Sequence, residues 1–429
     1  PIPNPQSPIP KFFFILFSNE TKFLNIIYLK LNMSIKSLCS FLFYSILVLF
    51  ISFLIVKYNE FNIATSLPRF DKQRQVEYNR KLDNLHRNGS ATSEGWARHA
   101  IWTYKRDYIK SWSLFIKEWD YYITYIEKSN IWIAITISDL GYSSLIALSV
   151  IDCNINKTAQ IEDISLFSFG SLNLPNNSLI DYDMNYNGNK MKLKVGCKNR
   201  KRKIFVQSDD FVLPNGEIGL NISLEMEQRA SMESINIQTT WAHNRKLFYL
   251  NEKINGMKPF DGYYKIGKSI EGDITLKNTE NIFTTLDWGR GVWAYSGTWY
   301  WSSATGIING SKLGFNLGYG FSDRSVATEN CIFYNDKIHK LNQVEFIIPN
   351  DEKDLCEKDK PWIIKSDNDR INLKFWPQVN RQSKFNYLII KSEQNQVFGV
   401  FEGELVLDHG QKIHVKNLHG FAEKVSNRW

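Results

Sequence analysis

The sequence predicts a mainly β protein, and three features of its 429 residues lead to this prediction. Aromatic residues are abundant, with 13 Trp, 20 Tyr and 28 Phe, and such rings pack well across a pleated sheet. Apolar and polar residues alternate at 220–226 and 371–375, and turn sequences such as 214–216 (PNG) separate the stretches. No run of helical period is sustained after residue 94, so the strands are expected to be antiparallel.

The order of these elements repeats once along the chain. An aromatic stretch at 119–122 is followed by a Gly- and Tyr-containing strand and then by a turn and a strand, and the same order starts again at 298–301. This order predicts two tandem antiparallel barrels or sandwiches, over 94–255 and 256–429. A single large β domain is the alternative.

The N-terminal part has a different character. Residues 1–32 precede Met33 and contain only short apolar clusters, so we interpret them as a leader of uncertain expression. Residues 38–56 are 19 consecutive uncharged positions; as a helix they extend about 28 Å, close to the thickness of a hydrocarbon core. We therefore predict a transmembrane anchor at 33–58 that contacts the bilayer through 38–56, and a polar tether at 59–93. A cleavable signal peptide is the alternative, although its apolar region is usually shorter.

The cellular compartment is less clearly indicated. Basic residues flank the apolar segment on both sides in similar number, so they do not fix its orientation. Glycosylation sequons favour a lumenal β domain, and they begin at Asn88, Asn156, Asn176, Asn221 and Asn309. In a lumen two disulfides could form, whereas in the cytosol the same residues would be small core side chains: Cys153, Cys197, Cys331 and Cys356.

Several classes of function lack their sequence signatures. The net charge is +8, but the basic run at 198–203 is typical of a solvated loop before a strand, so no nucleic-acid partner is expected. Nucleophile-elbow, P-loop, zincin and dinucleotide-binding motifs are missing from the sequence, and its Cys and His residues do not have zinc-site spacing. We therefore expect no cofactor and no metal.

Short motifs resemble, in the same order, those of the family called domain of unknown function 2804. The segments EGWAR, KEWDYY, DWGRG and GFAE resemble the family's IGWSR, KKRWDYW, DWTRG and GFAE, and they begin at Glu94, Lys117, Asp287 and Gly420. The resemblance covers about residues 94–429 and implies two lipocalin-like barrels, distantly like carotenoid hydratase-type proteins, with apolar interiors suited to a lipid or isoprenoid. It implies no activity. Glu118 and Tyr122 depart from the family pattern, which puts a pocket in the first half in doubt.

The densest group of polar and aromatic residues falls at 287–330. Trp299 and Trp301 share one face of a strand, since alternate residues point the same way. A carboxylate inside an apolar barrel would have a raised pKa and could act as a general acid. The catalytic candidates are Asp287, Glu329 and Glu423, and the ligand-binding candidates are Trp299, Trp301, Asn316, Asn330 and Arg290. A structural ion pair between Asp287 and Arg290, with the Trp residues in the core, is the alternative.

These residues support three hypotheses about function. The first is a protein that holds a lipid or other apolar ligand inside one barrel, near a membrane. The second is an enzyme acting on such a ligand, such as a hydratase, an isomerase or a cyclase. The third is a scaffolding protein with filled barrels. An open pocket beside Trp299 and Trp301 would favour the first two.

Overall fold

A computed structural model describes residues 35–64, 75–241, 244–268, 270–274, 281–349, 354–387 and 390–428. The predicted leader at 1–32 and part of the predicted tether lie outside these residues.

A helix covers the segment predicted to cross a membrane. This helix, α1, spans Ile35–Ala64. Over the residues that the structure describes, however, no helix is long and apolar enough to cross a membrane, so the transmembrane prediction is not supported. Several large apolar side chains of α1 are exposed, including Phe43, Leu49 and Phe50. The Phe53 ring of α1 lies 6.4 Å from that of Tyr295, so α1 touches the β body.

The first half of the β body contains the strands up to residue 292. They are β1 (Leu82–Asp83), β2 (Gly95–Ala97), β3 (Trp102–Thr103), β4 (Ile116–Ile126), β5 (Ile131–Asp139), β6 (Ser143–Asp152), β7 (Lys157–Leu166), β8 (Tyr182–Asn187), β9 (Lys192–Lys198), β10 (Lys201–Val212), β11 (Ile218–Glu227), β12 (Ile235–Trp241), β13 (Asn244–Met257), β14 (Pro259–Ile266), β15 (Ile270–Ile274) and β16 (Ile282–Val292). Short 3₁₀ helices lie at Arg106–Tyr108, Ser113–Phe115 and Glu127–Ser129.

Two antiparallel sheets form most of this half, and β1 and β3 make a separate short parallel pair. An eight-stranded sheet has the order β2-β12-β13-β16-β4-β5-β6-β7, and a six-stranded sheet has the order β15-β14-β11-β10-β9-β8. The sheets face each other across one apolar core, to which Ile135 and Leu148 come from the larger sheet and Val206 and Leu224 from the smaller. The space left among these side chains is only about 10 Å³. The interior of the first half is therefore filled.

The second half is one curled antiparallel sheet. Its strands are β17 (Ser296–Ile308), β18 (Ser311–Tyr319), β19 (Cys331–Tyr334), β20 (Lys337–Lys340), β21 (Val344–Ile347), β22 (Trp362–Ser366), β23 (Ile371–Tyr387), β24 (Ile390–Val406) and β25 (Lys412–Arg428). Their order is β20-β19-β18-β17-β25-β24-β23-β22-β21. The sheet curls until β21 reaches β18, where the Phe346 amide donates a hydrogen bond to the Tyr319 hydroxyl at 3.2 Å. Leu313, Phe315 and Phe375 pack inside it.

These sheets confirm the prediction of a mainly β, antiparallel protein. The change from the first-half sheets to the second-half sheet lies between Val292 and Ser296, because β14 to β16 pair with first-half strands. The predicted domain limit at residue 255 stays a prediction. Residues 75–93 of the predicted tether lie against the first half: Leu85 is buried, and the Trp96 indole donates to the Gln75 carbonyl at 3.0 Å.

The sequence left open whether four cysteines form disulfides or are core side chains. All four are free thiols. Cys153, Cys197 and Cys331 are buried, and Cys356 is half-buried. Burial raises the pKa of the Cys153 thiol to about 12 and that of the Cys356 thiol to about 11. Raised pKa values keep these thiols protonated and unreactive at neutral pH.

Candidate functional site

A cavity of about 250 Å³ lies between the two halves. The sequence predicted a ligand inside one barrel. The cavity instead lies between the two halves. The reason is visible on β4, where residues alternate between two surroundings. Asp120 and Tyr122 turn into the filled first half, whereas Trp119 and Tyr121 turn toward the second half and line the cavity. Each half therefore contributes the outer face of its sheet to the site.

Aromatic side chains form one wall of the cavity. The Trp293 ring is central, 5.7 Å from Trp119, 5.5 Å from Trp299 and 5.6 Å from Tyr249. Phe321 closes the group at 4.6 Å from Tyr249. Trp293 directly follows β16 and Trp299 lies on β17, so the short crossing between the halves brings these rings together. The wall offers a broad apolar surface that suits rings and unsaturated chains.

A buried lysine lies at the centre of the polar floor. Lys253 on β13 is directly opposite Asp287 on β16, and its Nζ lies 2.7 Å from the Asp287 carboxylate. The same Nζ lies 4.0 Å from the Glu329 carboxylate and 3.8 Å from the centre of the Trp301 ring. The Asn251 amide donates to Asp287 at 2.6 Å. One cation therefore contacts two buried carboxyl groups and one indole face.

Glu329 reaches this floor from the loop before β19. Its carboxylate accepts a hydrogen bond of 2.9 Å from the Tyr249 hydroxyl. Burial raises the pKa of Glu329, and the positive charge of Lys253 opposes that rise. Burial, together with the nearby Glu329 charge, also raises the pKa of Tyr249 well above its ordinary value, so its hydroxyl stays a donor. Glu329 thus accepts a hydrogen bond from the Tyr249 hydroxyl, which stays protonated at neutral pH.

Glu423 is the carboxyl group best suited to proton transfer. It lies on β25, directly opposite Trp301 on β17. Its oxygens accept from the Trp299 indole at 3.3 Å and from the Gln396 amide at 3.2 Å. Burial raises its pKa to about 7, although Lys253 and Arg381 act in the opposite direction. Such a group gives up and regains a proton at neutral pH.

Five of the eight predicted site residues line this one cavity, namely Asp287, Glu329, Glu423, Trp299 and Trp301. Asn316 lies behind them, and its side-chain oxygen accepts from the Trp301 indole at 2.7 Å, so it orients that ring.

The other two predicted residues lie elsewhere. Arg290 is fully buried in the first half, where it contacts Asp120 at 2.9 Å and the Pro175 carbonyl at 3.0 Å. It is three positions after Asp287 on one strand, so the two side chains point to opposite faces and do not pair. Asn330 donates to the Asn342 carbonyl at 2.8 Å and holds a loop of the second half.

Several cavity residues were missed from the sequence: Lys117, Trp119, Tyr121, Tyr249, Lys253, Trp293, Arg381 and Gln396. One signal could have found two of them. Between 249 and 255, polar or amphipathic residues occupy every second position, and the positions between them are apolar except for Glu252. That period marks a polar face on a buried strand, here the face of β13 that carries Tyr249, Asn251 and Lys253.

Together, these features define an antiparallel β protein of two packed halves, with an aromatic and charged cavity between them. The chain belongs to the family Domain of unknown function (DUF2804), whose model matches residues 75–429, as the sequence motifs predicted. Solved structures of two proteins are similar to it. One is a candidate AttH protein from Nitrosomonas europaea, with 10% identity, a TM-score of 0.41, and coverage of 72% of this chain and 91% of that one. The other is kievitone hydratase from Nectria haematococca, with 12% identity, a TM-score of 0.43, and coverage of 85% and 97%. No curated protein matches the chain.

Proposed function

We propose that this protein binds a compact, mainly apolar small molecule in the cavity between its halves. The aromatic wall around Trp293 and Trp299 is the observation that carries the proposal. At about 250 Å³ the cavity is just smaller than the roughly 300–1,000 Å³ typical of ligand pockets. It suits a single aromatic or isoprenoid unit better than a long lipid chain.

The polar floor gives this ligand one defined orientation. The Lys253 ammonium group is a donor, and the carboxyl groups of Asp287 and Glu329 are acceptors. The Tyr249 hydroxyl already donates to Glu329, so it can only accept from a ligand. The Glu423 carboxyl group accepts or donates according to its protonation. A hydroxyl or carbonyl group on an apolar skeleton satisfies these groups, whereas a pure hydrocarbon leaves them without a ligand partner. The ligand class is therefore an apolar molecule with one oxygen function, such as a phenol or an isoprenoid alcohol.

Trp299→Ala is expected to abolish ligand retention while the fold survives, because this half-buried indole forms part of the wall. The measurement is native mass spectrometry with organic extraction of the purified full chain. Trp376→Ala is a matched control: that indole is also half-buried and donates to a carboxylate, Glu402, at 3.2 Å, but it does not line the cavity. If wild-type protein carries no small molecule and takes up no added phenol or isoprenoid alcohol, the binding proposal fails and a scaffolding role gains support.

A second candidate is an enzyme that hydrates an alkene, and the raised pKa of Glu423 favours it. The Glu423 carboxyl would give its proton to one alkene carbon, leaving a cation beside the faces of Trp299 and Trp301. A water oxygen would then bond to the other carbon and lose a proton to the Glu423 carboxylate. Isomerisation or cyclisation would begin with the same protonation.

Incubation with isoprenoid alkenes in ¹⁸O-labelled water is expected to give labelled alcohol with wild-type protein and none with Glu423→Gln. Glu402→Gln, which changes a carboxyl group outside the cavity, is expected to keep wild-type activity. Binding of the alkene without label in any product would leave the protein as a binder and remove the enzyme hypothesis.

We further propose that α1 holds the β body at a lipid bilayer through residues 38–56, with the β body in a lumen. The exposed apolar side chains of α1 support the first part, and the exposed sequon residues Asn88, Asn156 and Asn309 support the second. The Leu47→Lys, Phe50→Lys double variant is expected to leave the membrane fraction on carbonate extraction, because buried charges are costly in lipid. A wild-type protein that is itself extracted by carbonate would overturn the anchor.

A further inference from the structure

Large apolar side chains form an exposed patch at one end of the first half. Trp112 is 61% exposed, Phe167 58%, Phe169 48% and Leu114 42%. We call these four residues the docking patch. Scattered apolar residues are normal on a protein surface, but clustered rings of this size mark a site of interaction.

The patch is built from two segments that meet at Gly141. The Phe167 amide donates to the Tyr142 carbonyl at 2.7 Å, and the Phe169 amide donates to the Gly141 carbonyl at 3.0 Å. On the other side, the Ser113 carbonyl lies so close to Gly141 that an added Cβ would be only 2.1 Å from it. The segment that carries Trp112 and Leu114 therefore packs against the loop that carries the two Phe residues.

The exposure of the two Phe residues is fixed by the backbone. Both are left-handed, with φ of 57° at Phe167 and 46° at Phe169, a conformation that aromatic residues rarely adopt. Buried Asp139 holds the loop in this shape, because its carboxylate accepts from the Ser168 hydroxyl at 2.7 Å and from the Gly170 amide at 2.9 Å. The left-handed backbone at Phe167 and Phe169 is strained, and the hydrogen bonds of Asp139 maintain it while both rings stay exposed. Backbone strain of this kind points to a function for the residues that carry it.

The docking patch lies next to residues that line the cavity. The Lys117 ammonium group donates to the Leu114 carbonyl at 2.7 Å and to the Leu140 carbonyl at 2.8 Å. Both Lys117 and Leu140 line the cavity. A single lysine thus connects the backbone of the patch to the cavity lining, so the patch and the cavity are neighbours.

A short series of contacts also leads from the patch to α1. Trp112 stacks on Phe115 at 6.3 Å, and the Trp293 amide donates to the Phe115 carbonyl at 3.1 Å. Two residues further along, Tyr295 contacts Phe53 of α1. Both α1 and the patch therefore present exposed apolar side chains, and these contacts join the two. An exposed Trp beside the exposed cation Lys110 is the composition of a bilayer interface.

We propose that the docking patch inserts into the surface of a lipid bilayer and brings the neighbouring cavity to it, so that the apolar ligand enters from the membrane. This inference rests on the proposed ligand cavity and on the proposed anchor. It adds the docking patch as the surface that contacts the membrane, the bilayer as the partner, and the membrane as the phase from which the ligand enters. The bilayer is the occupant; a second copy of the chain or another protein is not.

Spin labelling of the full chain tests the proposal. A nitroxide on Phe167→Cys reports the patch, and one on Ile347→Cys, an exposed apolar position on β21, is the matched control. Wild type treated with the same nitroxide reagent gives the background from the native thiols. Vesicles of phosphatidylcholine and phosphatidylserine are added, and collisions with oxygen, which concentrates in lipid, are compared with collisions with a water-soluble nickel chelate. We expect the oxygen-to-nickel ratio to rise several-fold at 167 and to stay constant at 347.

The other outcomes separate the proposals. If the protein floats with the vesicles but the label at 167 stays accessible to nickel, the anchor holds and the docking patch is wrong. If the protein does not float and neither label changes, the anchor and the patch both fail. If the label at 167 is shielded from both reagents before vesicles are added, a protein surface covers the patch and the bilayer proposal is overturned. None of these results depends on whether the cavity holds a ligand.

Discussion

Replacing Lys253 with Met is expected to lower the free energy of unfolding by about 3–5 kcal/mol at pH 7, because it leaves two carboxylates buried without their cation. The side chains of Lys253, Asp287 and Glu329 are only 4%, 9% and 1% exposed. The Lys253 ammonium group lies 2.7 Å from Asp287 and faces the Trp301 ring, so its removal takes away an ion pair and a cation–π contact together. Urea denaturation followed by Trp fluorescence measures the loss.

A double-mutant cycle separates the charge from the packing. Because Met keeps most of the Lys253 side-chain volume, Lys253→Met combined with Asp287→Asn removes one of the two unpaired charges while the floor stays filled. We expect the double variant to recover a large part of the stability that Lys253→Met loses. If the two single losses simply add, the Lys253–Asp287 pair carries no coupling and the charged floor does not behave as a unit.

The sequence predicted the fold class correctly because strand patterning depends on local alternation. On β11, Leu220, Ile222 and Leu224 alternate with polar neighbours, and the structure buries all three. The location of the cavity could not be predicted in this way. It depends on the packing of the outer faces of two sheets, and residues far apart in the sequence meet there, such as Tyr121 and Gln396, which are joined by a hydrogen bond of 3.1 Å.

The candidate carboxylates were predictable for a chemical reason, whereas their partners were not. Asp287, Glu329 and Glu423 lie in or after segments rich in aromatic residues and Gly, which are expected to be buried. Burying a charge is costly, so a carboxyl group at each of these positions suggests a specific role. Arg290 met the same criterion and proved to hold Asp120 inside the first half. Which face of a strand a residue occupies depends on register, and a shift of one residue exchanges the faces.

Glu423→Gln is expected to make the protein more stable relative to wild type as the pH rises. The folded-state pKa of Glu423 is about 7, compared with an ordinary value of 4.5. Because the folded-state value is the higher one, the neutral carboxyl contributes stability that is fully present below pH 4.5 and is lost as the pH rises through 7. At about 1.36 kcal/mol for each pKa unit, wild type loses about 3 kcal/mol over this window, and glutamine, which does not titrate, loses none.

The measurement is the free energy of unfolding of both proteins between pH 4.5 and pH 8.5, with Glu402→Gln as the control outside the cavity. A difference between Glu423→Gln and wild type that stays constant across this range would mean that Glu423 is ionised throughout, and the proton donor of the hydratase hypothesis would be lost. A difference that grows by about 3 kcal/mol toward alkaline pH would place a carboxyl group that exchanges its proton near pH 7 beside Trp299 and Trp301. Since a general acid works best when its pKa is close to the working pH, the same titration should then appear in ligand affinity or in turnover.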